Sequence, residues 1–220
     1  MIGLIRVVTL ESFDDINKHA EIIKRMFGLE IKSACIPEQY SGIHDEESEK
    51  LAIPKIIELG KQFKEEGCSA LIVSCAADPA IDQLRNSTGL TVIGAGSSAA
   101  LVARATGKQT GVIGITDEAP AVVKENLGQL FAGYLKPEGI NNTNDLLTPL
   151  GQKNCIAAVK KLLQDGAQQI QFACTGMGTI NLKRLLEKVV DVPIVDAVEA
   201  EGLFASFYVD SEQNTSSGGK

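Results

Sequence analysis

The chain has only two histidines, His19 and His44, and five cysteines, with no Cys-x-x-Cys pair among them. Two histidines are too few for a histidine-rich metal site. An odd cysteine count without close pairs argues against a disulfide framework and a zinc knuckle. Cys35, Cys68, Cys75, Cys155 and Cys174 are therefore expected as free thiols in a reducing cytoplasm. There is no basic surplus either: 28 acidic against 21 basic side chains give a net charge of −7, which points away from nucleic acid and anionic lipid. No apolar run approaches the ~18 residues of a membrane span. The stretch Met1 to Leu10 has no positive n-region and no small-residue cleavage site, so a cytoplasmic protein is expected rather than a secreted one. Whatever chemistry the chain performs must come from Cys, Asp, Glu, Ser and Thr.

What is present is an alternation. Short runs rich in Ile and Val alternate with longer segments of helical period, the pattern of a parallel α/β sheet. Strands are expected near Gly3 to Thr9, Glu30 to Ile36, Ala70 to Ser74, Thr91 to Ile93, Gln109 to Ile115, Gln168 to Ala173 and Pro193 to Val195. The segment Asp14 to Phe27 turns Ile16, Ile22, Ile23 and Met26 to one face, with Asp14 and Asp15 in its first turn and Gly28 closing it. Glu46 to Glu66 does the same with Leu51, Ile53, Ile56, Ile57, Leu59 and Phe63, and Pro54 predicts a kink or split within it. Ser211 to Lys220 is polar and rich in Gly and Ser, the composition of a disordered tail.

The length, 220 residues, allows one large domain or two small lobes. An internal repeat decides between them. Gly67-Cys68-Ser69-Ala70-Leu71-Ile72-Val73-Ser74-Cys75 lies over Gly166-Ala167-Gln168-Gln169-Ile170-Gln171-Phe172-Ala173-Cys174 at an offset of 99 residues, both ending in cysteine without a gap. Leu90 to Ala95 matches Val192 to Ala197 at an offset of 102, and Gly3-Leu4-Ile5 matches Gly111-Val112-Ile113 at 108. Each match alone is weak; in a consistent order they predict an α/β fold of two pseudo-symmetric lobes, each a mainly parallel sheet flanked by helices. Lobe 1 spans residues 1–95 and is completed by a C-terminal helix, 196–210; lobe 2 spans 96–195. The ligand crevice belongs where the carboxyl ends of the strands face each other.

The repeat sets one cysteine from each lobe directly after a buried strand. Cys75 lies in Ser74-Cys75-Ala76-Ala77-Asp78-Pro79, where Asp78 and Pro79 read as a helix start. Cys174 lies in Ala173-Cys174-Thr175-Gly176-Met177, where small residues let a ligand approach the backbone. A thiol at a helix N-terminus is expected to favour thiolate, and the N–H groups of the same turn can hold an oxyanion. Two such thiols across a crevice suit proton transfer on opposite faces of one carbon. The plainer reading is that free cysteines are small buried hydrophobes, which fits Cys35, Cys68 and Cys155 better than a matched pair.

These two motifs resemble those of the aspartate/glutamate racemase superfamily, most closely its hydantoin racemase branch, and the resemblance extends to Gly42 to Glu49 and Gly94 to Ser98. It implies a cofactor-independent racemase acting on a small-molecule substrate. Cys75 and Cys174 would be the catalytic pair, with Ala76, Ala77, Thr175 and Gly176 contacting substrate. Thr9 and Ser97 complete the expected substrate contacts, and no metal is implied. A homo-oligomer, dimer or larger, is expected. Amino-acid-specific members carry Asn-Thr where Ala76-Ala77 stand and Glu where Gly176 stands, which counts against aspartate or glutamate as substrate. A 5-substituted hydantoin is the best substrate expectation. The alternatives are an aspartate/glutamate racemase, or a decarboxylase or cis-trans isomerase of the same superfamily.

Gly94-Ala95-Gly96-Ser97-Ser98-Ala99 also fits the G-x-G-x-x-A dinucleotide fingerprint, with Asp117 downstream. A nucleotide-binding or small-ligand-binding module therefore stays open as a reading. Asp45 to Glu49 reads as a solvated helix start, with Gly42 to His44 a loop over the site. Asp196 and Glu199 either line the crevice or cap the last helix.

Overall fold

The structure, a computed structural model, describes the backbone of residues 1–216 and the side chains of residues 1–208. Two four-stranded sheets, parallel throughout, follow one another along the chain. The first has strands β1 (Ile2–Arg6), β2 (Ile31–Cys35), β3 (Ala70–Ser74) and β4 (Thr91–Gly94) in the order β2-β1-β3-β4. The second has β5 (Thr110–Gly114), β6 (Phe131–Leu135), β7 (Gln169–Ala173) and β8 (Ile194–Val195) in the order β6-β5-β7-β8. Each sheet places its first strand second in spatial order. The repeat is thus one topology used twice, and burial follows it: the inner pairs β1, β3 and β5, β7 are wholly buried, while β2 and β6 share the same half-buried pattern.

Seven of these strands fall where the sequence puts them; β6 is an addition. Phe131-Ala132-Gly133-Tyr134-Leu135 contains no β-branched residue and is interrupted by glycine, and its register with β5 shifts between Thr110 and Gly111. It is an edge strand held by the sheet beside it more than by its own propensity.

The helices are α1 (Phe13–Phe27), α2 (Glu46–Glu65), α3 (Ile81–Thr88), α4 (Ala95–Ala105), α5 (Ala121–Leu127), α6 (Pro149–Gln164), α7 (Gly176–Thr179), α8 (Leu182–Leu186) and α9 (Ala197–Ser216). Ser12 caps α1 by accepting from the Asp15 N–H, and Asp45 with Ser48 forms a capping box on α2. Pro54 neither splits nor ends α2: Pro54 and Lys50, whose carbonyl loses its partner, both face water. Leu51 and Met26, expected on apolar faces, are 58% and 46% exposed. Helix α9 runs on through Ser216 into the segment expected as a tail, and residues 217–220 lie outside the described residues.

Helices cover both faces of each sheet. α2 and α3 pack on the outer face of the first sheet around Ile56, Phe63, Leu71 and Leu84, and α6 and α8 do so on the second around Val159, Leu162, Phe172 and Leu186. Between the sheets, alanine-rich α4 and the first turns of α9 pack closely through Ala95, Ala99, Ala103, Ala197 and Ala200. Val198 and Ala205 carry α9 on to the first sheet, against Ile2, Leu4 and Ile72. This shared layer holds the carboxyl ends of β3 and β7 toward one another. No helix among the described residues is long and apolar enough to cross a membrane.

Candidate active site

Cys75 follows β3 and Cys174 follows β7, and both line one cavity of about 50 Å3. They are 9% and 8% exposed. Ala76, Ala77, Thr175 and Gly176 line it with them, so six of the eight expected site residues come together. A direct bond ties the two strand ends: Thr175 Oγ1 donates to the Ser74 carbonyl at 3.1 Å. The remaining wall is Arg6 at the end of β1 with Val7 and Val8 after it, Ile115 and Thr116 after β5, Pro120, and Gly42, Ile43 and Thr143 from the loops after β2 and β6. These two loops meet over the cavity, where Asn144 Nδ2 donates to the Tyr40 carbonyl at 3.4 Å. Gly42 and Thr143 approach so closely that a Cβ on Gly42 would stand 2.9 Å from Thr143 Oγ1.

Thr9 and Ser97 are not in this cavity. β1 ends at Arg6, and Thr9 lies past the bend, donating to the Ile36 carbonyl and accepting from the Gln39 N–H, both at 2.7 Å. It pins the loop after β2 and leaves the cavity wall to Val7 and Val8. Ser97 sits in the first turn of α4, with its N–H on Asp78 at 2.9 Å and its hydroxyl on the Gly94 carbonyl at 3.3 Å.

Asp78 is the reason. It does not start its own helix: α3 begins at Ile81 with no side-chain cap, and Asp78 itself sits at φ 53°. Its carboxylate instead accepts from the N–H groups of Gly96 at 2.6 Å and Ser97 at 2.9 Å, capping α4 from a neighbouring turn. A Cβ on Gly94 would overlap the Asp78 carboxylate, and one on Gly96 would overlap the Ala76 carbonyl. The glycines of the G-x-G-x-x-A motif therefore make room for an internal carboxylate. The helix N-terminus that would hold a pyrophosphate is occupied, and Asp117 is exposed and paired with Lys136 at 2.8 Å. The dinucleotide reading falls with that geometry. Asp196 is likewise a cap, accepting from the Val198 N–H at 2.8 Å at the start of α9.

Neither thiol is poised as thiolate in the closed cavity, contrary to the expectation from helix ends. Burial pushes the Cys75 thiol far above its ordinary range, and nearby Cys174, Asp78 and Glu49 push the same way against one N–H from Ala77. Burial also pushes Cys174 up, to about 11; the N–H groups of Gly176 and Met177 and the charge of Arg6 oppose it, and Asp196 adds to it. Cys75 lies well before α3, and α7 is a single turn. Desolvation outweighs what so short a dipole supplies.

Two features escaped the sequence reading. A second hollow of about 470 Å3 adjoins the cavity, sharing Ile43, Ala77, Thr116 and Pro120, and carries Asp45, Glu46, Glu49, Asp117 and Glu118 with His44. Behind the thiols lies a buried polar chain: Ser74 Oγ donates to Glu201 Oε1 at 2.7 Å and meets His19 Nδ1 at 2.8 Å, while His19 Nε2 meets Thr179 Oγ1 at 2.7 Å. A carboxyl at helical spacing from Ala197, Val198 and Ala205 was the available signal for Glu201. Among the described residues, no group of three or more His, Cys, Asp or Glu is placed to hold a metal ion.

Comparison with known proteins adds four findings. A family model described as Asp/Glu/Hydantoin racemase matches residues 24–201. A hydantoin racemase of Pseudomonas sp. (strain NS671) is 29% identical over 180 residues, 76% of this chain and 69% of that protein. Among solved structures, allantoin racemase from Pseudomonas fluorescens superposes with a TM-score of 0.81 at 19% identity, covering 96% of this chain and 91% of that one. Allantoin racemase from Klebsiella pneumoniae gives 0.77 at 21% identity, covering 96% and 88%.

Proposed function

The chain belongs to the Asp/Glu/Hydantoin racemase family, and on that premise we propose that it is a cofactor-independent racemase inverting the stereocentre of a 5-substituted hydantoin or a closely related cyclic ureide. The observation that carries this reading is the pair of thiols, one from each repeat, lining one cavity. One cysteine, as thiolate, takes the proton from the ring carbon. The C–H electron pair moves onto the adjacent carbonyl oxygen, and backbone N–H groups at Ala76 and Thr175 hold the enolate-like oxygen, while those of Ala77 and Gly176 stay with the thiols. The other cysteine, as thiol, returns a proton to the opposite face, and the pair has then exchanged protonation states. A ring carbon between carbonyl and nitrogen is far more acidic than the α-carbon of a free amino acid, so it asks less of a thiolate whose ordinary pKa is about 8.5.

The surroundings favour this substrate over its relatives. Five carboxyl side chains at the adjoining hollow disfavour a dicarboxylate such as aspartate or glutamate. The small apolar wall of Val7, Val8, Ile43, Ile115 and Pro120 suits a compact ring. A cytoplasmic location and a homo-oligomer, dimer or larger, are part of the same proposal; exposed Leu101 and Leu203 support the oligomer, which sedimentation measures. The test of function is incubation of single enantiomers of substituted hydantoins in heavy water. Deuterium should enter the stereocentre as optical rotation is lost, and absence of exchange with every such substrate overturns the reading.

A further inference from the structure

The two-thiol reading makes no use of the charged layer behind the cavity. Arg6, the last residue of β1, is 5% exposed and lines the cavity. Its Nη1 donates to the main-chain carbonyls of Asp15 at 2.9 Å and Ile16 at 3.3 Å, and among the described residues no carboxylate forms an ion pair with it. The Asp15 carboxylate is turned to Lys18, 2.6 Å away. A buried guanidinium without a partner charge is costly to keep. Glu201 is the carboxyl best placed to offset it, yet its geometry is that of a neutral acid. It is wholly buried, its Oε1 has one hydroxyl partner, and its Oε2 has none. An ionised carboxylate would leave a charged oxygen with no donor; in the acid form the Ser74–Glu201 bond reverses, with Oε1–H donating to Ser74 Oγ and the Ser74 hydroxyl turned to His19 Nδ1, so that Oε2 is left only as a weak acceptor. Burial accordingly raises the Glu201 carboxyl well above the usual range, against the opposing pull of Ser74 and Arg6. His19 is as deeply buried, and burial, Arg6 and Lys18 hold it neutral.

One fixed positive charge therefore stands behind the thiols, beside two titratable groups that carry none. We propose that Arg6 is the standing counter-charge of a Cys174 thiolate, and that a protonated Glu201 is what leaves that charge uncancelled; Cys174 is then the thiol that ionises first and Cys75 the one that keeps its proton. The surroundings of the two thiols differ in the required sense. Cys174 faces Arg6 and the N–H groups of Gly176 and Met177, with Asp196, Tyr134, Cys155 and Cys75 around it. The neighbours that weigh most on Cys75, Asp78, Glu49 and Cys174, all oppose its ionisation. Around Arg6 stand Cys35, Glu201, Asp15 and Cys174; around Glu201, beyond Ser74 and Arg6, stand Asp196 and Asp78. On ionisation the Cys174 S–H bond gives its proton to solvent water, and Arg6 keeps its own throughout. Arg6 and Glu201 act through the thiol and are positioning residues.

Alkylation by iodoacetamide of the full chain without substrate, followed across pH by the mass of the Cys174 and Cys75 peptides, tests this. In the wild type Cys174 should titrate below Cys75. Arg6→Met should raise the Cys174 midpoint by about one pH unit, which is about tenfold slower alkylation below that midpoint. Arg6→Lys should stay within about threefold of wild type. If Arg6→Met does not fold, Arg6→Gln, which retains donors for the Asp15 and Ile16 carbonyls, carries the same expectation. Glu201→Gln should leave the Cys174 midpoint in place, because one neutral group replaces another, and should remove an infrared band of a protonated carboxyl. An unmoved midpoint in the charge-removing Arg6 variant overturns the proposal. So does a lowered midpoint in Glu201→Gln, which would mean that Glu201 was ionised. Because alkylation needs no substrate, either failure leaves the racemase reading standing, and absent deuterium exchange leaves the thiol titration standing.

Discussion

The turns after β3 and β7 present the same residue at the same strand position, and the two lobes treat it differently. After β7 the chain runs directly into α7, so the N–H groups of Gly176 and Met177 stay with Cys174. After β3 the chain bends away through Asp78 at φ 53° and Ala80 at φ 60°, and the Asp78 carboxylate is committed to α4. Cys75 keeps one N–H and gains an acidic neighbour. The repeated backbone fixes where the thiols stand, and the residues that follow fix how readily each ionises. Symmetry of position thus coexists with asymmetry of acidity.

The sharpest way to break this comparison is to remove each thiol in turn. Cys75→Ser and Cys174→Ser should each lower racemisation by roughly 10²- to 10⁴-fold, measured by optical rotation. In heavy water each variant should exchange label into one enantiomer only, and opposite ones. Full activity in either would end the two-base assignment.

A smaller effect separates the turns by stability. Gly96→Ala sets a Cβ against the Ala76 carbonyl, backbone that cannot swing aside, and should cost about 1–3 kcal/mol in urea unfolding. Gly176→Ala meets Thr143 Cγ2 at 2.7 Å and Leu146 Cδ1 at 3.1 Å, side-chain ends that can yield. It should cost under about 1 kcal/mol yet lower kcat/KM, because the pressure falls on the loop over the cavity and on Cys174 Sγ, 3.3 Å away.

The pH dependence of stability sharpens the comparison from the protein's own titration. The folded state holds a proton on Glu201 that the unfolded chain releases above about 4.5, so its contribution is full below that pH and is lost as pH rises. Glu201→Gln removes this loss. Its stability relative to wild type should grow between pH 5 and pH 8, by up to about 1.4 kcal/mol per unit, and a constant difference would contradict a neutral Glu201. His19, held neutral, acts in the opposite sense, losing stability as pH falls below 6.5. The smallest effect belongs to Ser97→Ala, whose hydroxyl bonds the Gly94 carbonyl away from the cavity; its kcat/KM should stay within about twofold of wild type.

The repeat made the two sheets and both cysteine turns legible, because buried Ile and Val runs and small residues leave a dense local signal. Ala76, Ala77, Thr175 and Gly176 came with the cysteines by adjacency. Thr9 and Ser97 fall outside the cavity because a strand that stops at Arg6 and an acid that caps a neighbouring helix are tertiary facts. The missed wall followed the repeat all the same: Val7 and Val8 correspond to Ile115 and Thr116 at the offset of 108 that joins β1 to β5. β2 and β6 stand 100 residues apart, which would have marked Phe131–Leu135 as a strand despite its composition. Arg6, His19 and Glu201 come from three distant segments, and only folding sets them side by side.

The unequal thiols also meet a limit that no residue can alter. For a substrate with one stereocentre, the two hands have the same free energy in water, so kcat/KM must be equal in the two directions. The environments of Cys75 and Cys174 are therefore free to divide turnover from saturation differently for each hand, one fast and weakly held, the other slow and tightly held. They cannot make the enzyme prefer a hand. A chain whose two halves have drifted apart around their cysteines still drives its substrate to an even mixture.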